Sequence, residues 1–249
     1  MRKVVTVVGA RPQFVKAAAV SRALRQFGRI EECLVHTGQH YDDQMSGVFF
    51  RELQLSPPRI NLGVGSGSHG AQTATMLAGI EQILASEKPD ALVVFGDTNS
   101  TLAGALAAAK MNIPIAHVEA GLRSFNMRLP EEVNRVLADA VSCWLLAPTD
   151  KAVQNLRREA YAESRIQLVG DVMYDAALAF AAQAEAESHI LDRSHLRPRQ
   201  YILATVHRAA TTDDPIVLNE VFRALIDAAA RMPVAIPLHP RTRAALGRS

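Results

Sequence analysis

The sequence predicts an α/β protein built on a doubly wound parallel sheet, followed by the start of a second α/β domain. Three observations carry this. Short apolar runs alternate with amphipathic segments from residue 3 to residue 169, as expected for strands buried on both faces and joined by crossover helices. Several runs stop abruptly at glycine or at an acidic residue, which is how a strand ends before a helix begins. After Gly170 the texture becomes Ala- and Glu-rich, then polar, before strand–helix alternation resumes at Tyr201. The predicted domains are therefore 1–172 and 173–249, the second contributing only two strands. Two parallel strands make a poor independent sheet.

Taken in order, Lys3–Val8 is a buried strand ended by Gly9, and Pro12 suits the first turn of the helix that follows. Val15, Ala18, Ala19 and Leu24 give that helix an apolar side. Cys33–Val35 is a second strand, His36–His40 a loop, and a helix carrying Val48, Phe49 and Leu53 should end before Pro57-Pro58. The glycine- and serine-rich loop Gly63–Gly70 leads into a helix with Met76, Leu77, Ile80, Ile83 and Leu84 at helical spacing. Ala91–Phe95 is a strand, Gly96–Asn99 a turn with capping side chains, Ser100–Lys110 a helix, and Ile113–Val118 a strand. In the next helix, Pro130–Ala140, the apolar residues Val133, Val136, Leu137, Ala140 and Val141 predict the core face. Strands at Cys143–Ala147 and Arg165–Val169 flank a helix near Ala152–Arg158. Beyond the boundary come a helical Asp171–Leu191, a linker at His195–Gln200, strands at Tyr201–Val206 and Val234–Leu238, and a helix at Ile216–Arg231.

Composition narrows the function. Hydrophobic residues make up 49% and charged residues 21% of the 249 positions, enough for a sizeable core. A net charge of +2 and 5% aromatic residues argue against nucleic acid or a membrane surface as partner. The longest apolar runs, such as Leu102–Ala109, fall well short of the ~20 residues of a membrane helix. The N-terminus enters a strand at once and carries no pattern of a signal peptide. Two cysteines, Cys33 and Cys143, imply no disulfide framework, and the expected compartment is the cytoplasm.

The chemistry concentrates where strands end. Asp97 and Glu119 follow two predicted neighbouring strands, and in an open parallel sheet those ends line the ligand crevice. Asp97 could instead cap the next helix. Glu131 either joins these acids or pairs with Arg135 four residues on. Arg11 and Lys16 lie at a helix start after Gly9, either an anion site or ordinary surface cations. His207 ends the first strand of the second domain, in a position equivalent to Asp97 and Glu119, and is a proton donor or phosphate contact if the two domains face each other. His117 reads as a hydrogen-bonded core histidine. Cys33-x2-His36-x3-His40 imitates zinc spacing, but residues 33 and 36 point to opposite faces of a strand, so no metal site is expected. Neither G-x-G-x-x-G, P-loop nor G-x-S-x-G occurs, and no cofactor is indicated.

Seven blocks in order resemble the non-hydrolysing UDP-N-acetylglucosamine 2-epimerases. They are Gly9-Ala10-Arg11-Pro12 with Lys16, Thr37-Gly38-Gln39-His40, Gly96-Asp97-Thr98, His117 to Arg123, Pro130 to Arg135, Val206-His207-Arg208 and His239-Pro240. The resemblance implies two Rossmann-like domains around a cleft, a UDP-sugar substrate, no cofactor and a homodimer. It implies inversion at C2 of a UDP-2-acetamido sugar through loss and re-addition of UDP. By motif position it assigns Asp97, Glu119, Glu131 and His207 to catalysis and Arg11, Lys16 and Arg208 to substrate binding. Gln39 and His40 match a segment that binds an activating UDP-sugar in some members. Ala209–Thr211 stands where the family often carries a polar pair after His-Arg, while Tyr41–Asp43 and Gly65–Gly70 depart from the bacterial pattern and point to UDP-2,3-diacetamido-glucuronic acid as the second substrate reading. A Ser-Gly-Gly stretch and a later Glu that hold uridine in the family are absent before Ser249, predicting weak or no activity for these residues alone. Readings of another class are a UDP-sugar-binding remnant and a glycosyltransferase of shared architecture.

Overall fold

The computed structural model describes residues 1–39, 50 and 52–247. It divides into two compact units, Met1–Ala182 and Gln183–Ser249. The divide falls later than the sequence placed it because the first turns of one helix, at Val172, Ala176 and Phe180, are packed in the first unit. His40, Tyr41–Asp43, Val48 and Phe49 lie outside the described residues.

The first unit is a seven-stranded parallel sheet. Its strands are β1 (Arg2–Val8), β2 (Ile30–His36), β3 (Ile60–Asn61), β4 (Ala91–Phe95), β5 (Ile115–Val118), β6 (Trp144–Ala147) and β7 (Ile166–Leu168). They lie in the order β3-β2-β1-β4-β5-β6-β7, and the order reverses between β1 and β4. The helices are α1 (Arg11–Phe27), α2 (His69–Glu87), α3 (Asn99–Lys110), α4 (Pro130–Val141), α5 (Asp150–Arg158) and α6 (Val172–Glu187).

Alternate strand residues feed two cores, as the pleat requires. Val5, Val7, Cys33, Val35, Leu92 and Val94 pack with Met76, Ile80 and Leu84 of α2 and the alanines of α3. Val4, Val8, Leu34, Val93 and Phe95 pack on the other face with Phe14, Ala17 and Ala18 of α1. Phe14 and Phe95 are wholly buried, each contributing about 1.5–3 kcal/mol by leaving water. Cys33 lies in the first core, while the His36 ring packs on Phe14, 5.2 Å between centroids, so the two do point apart. Among the described residues no His, Cys, Asp and Glu cluster could hold a metal ion, and no helix is long and apolar enough to cross a membrane.

Helix α4 departs from the sequence reading. Glu132, Asn134, Ala138 and Asp139 are its buried residues, whereas Leu137 is 41% exposed and Ala140 is exposed. Polar groups on this helix are drawn inward because backbone atoms of neighbouring loops need partners there. The apolar stripe is left half-buried or exposed.

In the second unit, β8 (Ile202–Leu203) and β9 (Val234–Ala235) form a two-stranded parallel sheet. Helices α7 (Ile190–Arg193), α8 (Ala209–Thr212), α9 (Pro215–Ala229) and α10 (Pro240–Leu246) complete it.

Candidate active site

Strand register brings the acids together. Phe95 of β4 pairs with Val118 of β5, so Asp97 and Glu119 leave adjacent strands at the same end of the sheet. Gly96 takes a left-handed turn, φ +60°, and its amide donates to the Val118 carbonyl at 3.0 Å. A Cβ there would come 3.1 Å from Lys16 Nζ and 3.2 Å from Glu119 Oε2, which shows how closely the backbone approaches the charged groups.

Glu119 holds φ +72°, a conformation that costs a non-glycine residue about 1–2 kcal/mol. Its amide donates to the Leu146 carbonyl, and its carboxylate forms an ion pair with Lys16 of α1. Backbone strain of this kind concentrates where a side chain must be aimed. Lys16 is 8% exposed; it is a buried partner of Glu119 and no ordinary surface cation.

Asp97 does not cap α3. Thr98 does, accepting from the Thr101 amide in a reciprocal capping box. The Asp97 carboxylate instead pairs with Arg135 of α4, and its carbonyl accepts from Asn134 Nδ2 at 2.9 Å. Arg135 is thus taken by Asp97 and, at 2.5 Å, by Glu132; the sequence alternative of a Glu131–Arg135 pair is not formed. Glu131 is an exposed residue in the first turn of α4, while the contacts of that helix with Asp97 come from Asn134 and Arg135.

Glu132 was not singled out by the sequence. Burial works against its charge, but amide donation from Ser124 and Phe125 and the Arg135 guanidinium outweigh that and hold its pKa down from 4.5 to about 2. A carboxyl depressed on folding contributes stability that is full above its unfolded pKa and is lost as pH falls through the folded one. Thermal stability should therefore decline between pH 4.5 and about 2. Glu132→Gln should flatten that stretch of a Tm-against-pH curve; an unchanged slope would remove Glu132 from the account.

Gln13, also unforeseen, joins the two helix starts. Its Oε1 accepts from the Gly9 amide at 2.8 Å and the Ala10 amide at 3.1 Å, while Nε2 donates to the Phe95 carbonyl at 2.9 Å. Arg11 stands exposed at the first position of α1. The first turns of α1 and α3 contain no acidic residue, so two positive helix ends open near Lys16. Gln39 Oε1 accepts from Ser100 Oγ at 2.9 Å; His40 lies outside the described residues. In the second unit, exposed His207 stacks near His239, 5.9 Å between ring centroids, and the Arg208 carbonyl accepts from the Thr211 and Thr212 amides.

Fold and site together define a Rossmann-type α/β protein with acids and cations gathered at the strand ends beside its topological switch point. The family model described as UDP-N-acetylglucosamine 2-epimerase matches residues 22–249, and the chain belongs to that family. The UDP-2,3-diacetamido-2,3-dideoxy-D-glucuronate 2-epimerase of Pseudomonas aeruginosa is 48% identical over 249 residues, covering 99% of this chain and 69% of that one. A Methanococcus maripaludis UDP-N-acetylglucosamine 2-epimerase homolog is 52% identical over 242 residues, covering 97% and 66%. Among solved structures, the Methanocaldococcus jannaschii UDP-GlcNAc 2-epimerase in complex with UDP-GlcNAc and UDP superposes with TM-score 0.87 at 41% identity, covering 99% and 68%. The Neisseria meningitidis enzyme bound to UDP-GlcNAc gives TM-score 0.89 at 27% identity, covering 99% and 69%. The chain spans about two thirds of the length of these relatives.

Proposed function

We propose that the protein inverts C2 of a UDP-2-acetamido sugar by eliminating and re-adding UDP. The observation that carries this reading is the pair of carboxylates, Asp97 and Glu119, at adjacent strand ends, each against a cation. The C2 proton is not beside a carbonyl, so abstraction must be coupled to loss of a leaving group. One carboxylate takes the C2 proton, the C1–O bond breaks with its electron pair leaving on UDP, and a 2-acetamidoglycal forms. Protonation of C2 from the opposite face and attack of the diphosphate oxygen at C1 complete the inversion. Acid–base groups on both sides of one ring suffice for this, with cations at the diphosphate.

Asp97, Glu119 and Glu131 are the acid–base groups of this reading. Arg11, Lys16 and the two helix ends bind the diphosphate; by motif position His207 is a further catalytic residue and Arg208 a substrate-binding one. The protein acts as a homodimer in the cytoplasm, with Gln39 and His40 in an effector-binding segment. UDP-N-acetylglucosamine is the first substrate; the 48% identical Pseudomonas aeruginosa relative favours UDP-2,3-diacetamido-2,3-dideoxy-glucuronate as the second. The full-length protein incubated with each sugar in D2O should place one deuterium at C2 of both epimers, seen by NMR. Glycosyl transfer or simple binding would leave C2 protonated, and absence of label from both sugars would end the epimerase reading.

A further inference from the structure

We infer that His117 and Asp139 form a positioning pair that sets the relative placement of Asp97 and Glu119. The inference rests on the proposed epimerase chemistry and adds two residues to it. Both side chains are wholly inaccessible to solvent, and neither touches the crevice groups directly.

His117 Nδ1 lies 2.6 Å from Asp139 Oδ1, and Nε2 lies 2.7 Å from the Gly96 carbonyl. The Gly96 carbonyl only accepts, so Nε2 donates to it, and Nδ1 hydrogen-bonds the Asp139 carboxylate. The second oxygen of Asp139 accepts from the Gly121 amide at 3.0 Å and from Arg123 at 2.8 Å. Gly96 immediately precedes Asp97, and Gly121 follows Glu119 by two residues. One buried chain of bonds, Gly96 carbonyl to His117 to Asp139 to Gly121 amide, therefore clamps the backbone beside each acid. Both clamped residues have left-handed backbones, φ +60° and +79°.

Misplacement of about 1 Å can cost on the order of 100-fold in rate. His117→Gln, His117→Leu and Asp139→Asn in the full-length protein should lower kcat for C2 exchange roughly 10- to 100-fold, with KM and UDP affinity within about threefold. His117→Gln, which can still donate to Gly96, should retain more rate than His117→Leu. Leu84→Ala, in the core on α2, is the control for lost stability alone and should keep wild-type kcat. The inference is overturned if folded variants keep kcat, if the control loses as much rate, or if all three variants fail to fold. Wild-type protein that places no deuterium at C2 fails the epimerase reading itself, a result distinct from active wild type with unaffected variants.

Discussion

Glu119→Gln is expected to lower C2 proton exchange by about 10²- to 10⁴-fold, the usual contribution of a positioned acid or base. The substitution preserves shape and removes only the charge and the proton-accepting oxygen. The left-handed backbone at Glu119 is unchanged by it, because the Leu146 carbonyl and the turn at Gly121 hold the main chain. Tm should nonetheless fall, because Lys16, 8% exposed, is left without its carboxylate partner. Lys16 loses its carboxylate partner and faces an arriving diphosphate without competition, so UDP should bind as tightly as before or tighter. The signature is a fall in kcat without a rise in KM, read by deuterium incorporation and by titration with UDP. A kcat within about threefold of wild type would show that Glu119 carries no proton.

Gly121→Ala is expected to destabilise the first unit by about 2–4 kcal/mol, combining the left-handed penalty with overpacking. A Cβ at this position would lie 2.5 Å from the Ala152 carbonyl oxygen and 2.8 Å from Leu156 Cγ. The carbonyl cannot swing away without disturbing the first turn of α5, and Leu156 is wholly buried. Relief must come from moving the 119–121 turn, which lengthens the Gly121 amide to Asp139 bond and shifts Glu119 with it. Tm should fall by roughly 5–10 °C, and kcat should fall as well. A variant with unchanged Tm would mean the turn has slack that the packing denies.

The sheet was legible because parallel strands buried on both faces write themselves as short apolar runs between breakers. Ala91–Phe95 matches its strand residue for residue. The acids Asp97 and Glu119 were legible for the same reason, since strand ends locate them. Helix α4 was misread, and the cause is physical. Glu132 and Asp139 are seven residues apart on one face, and each is buried by the loop amides and side chains it serves. An apolar-periodicity argument assigns burial to Val136, Leu137 and Ala140, because it has no place for carboxylates that satisfy backbone. Two acids at i and i+7 on the face that also holds Asn134 were the available signal. The capping alternative for Asp97 failed because Thr98, one residue later, has the shorter reach to the Thr101 amide. Gln13 was missed although two of its four bonds are local, from the Gly9 and Ala10 amides; the other two, to the Phe95 carbonyl and the Thr101 hydroxyl, are long-range pairings that only the folded chain creates.

Thr98 carries a consequence for experiment. Because a neutral hydroxyl starts α3, the helix does not depend on the charge of the residue before it. Asp97 can be exchanged for asparagine, or titrated, without unwinding the segment that shapes the crevice. The α3 cap and the chemistry are separable at that position; the Arg135 pair that ties Asp97 to α4 is not.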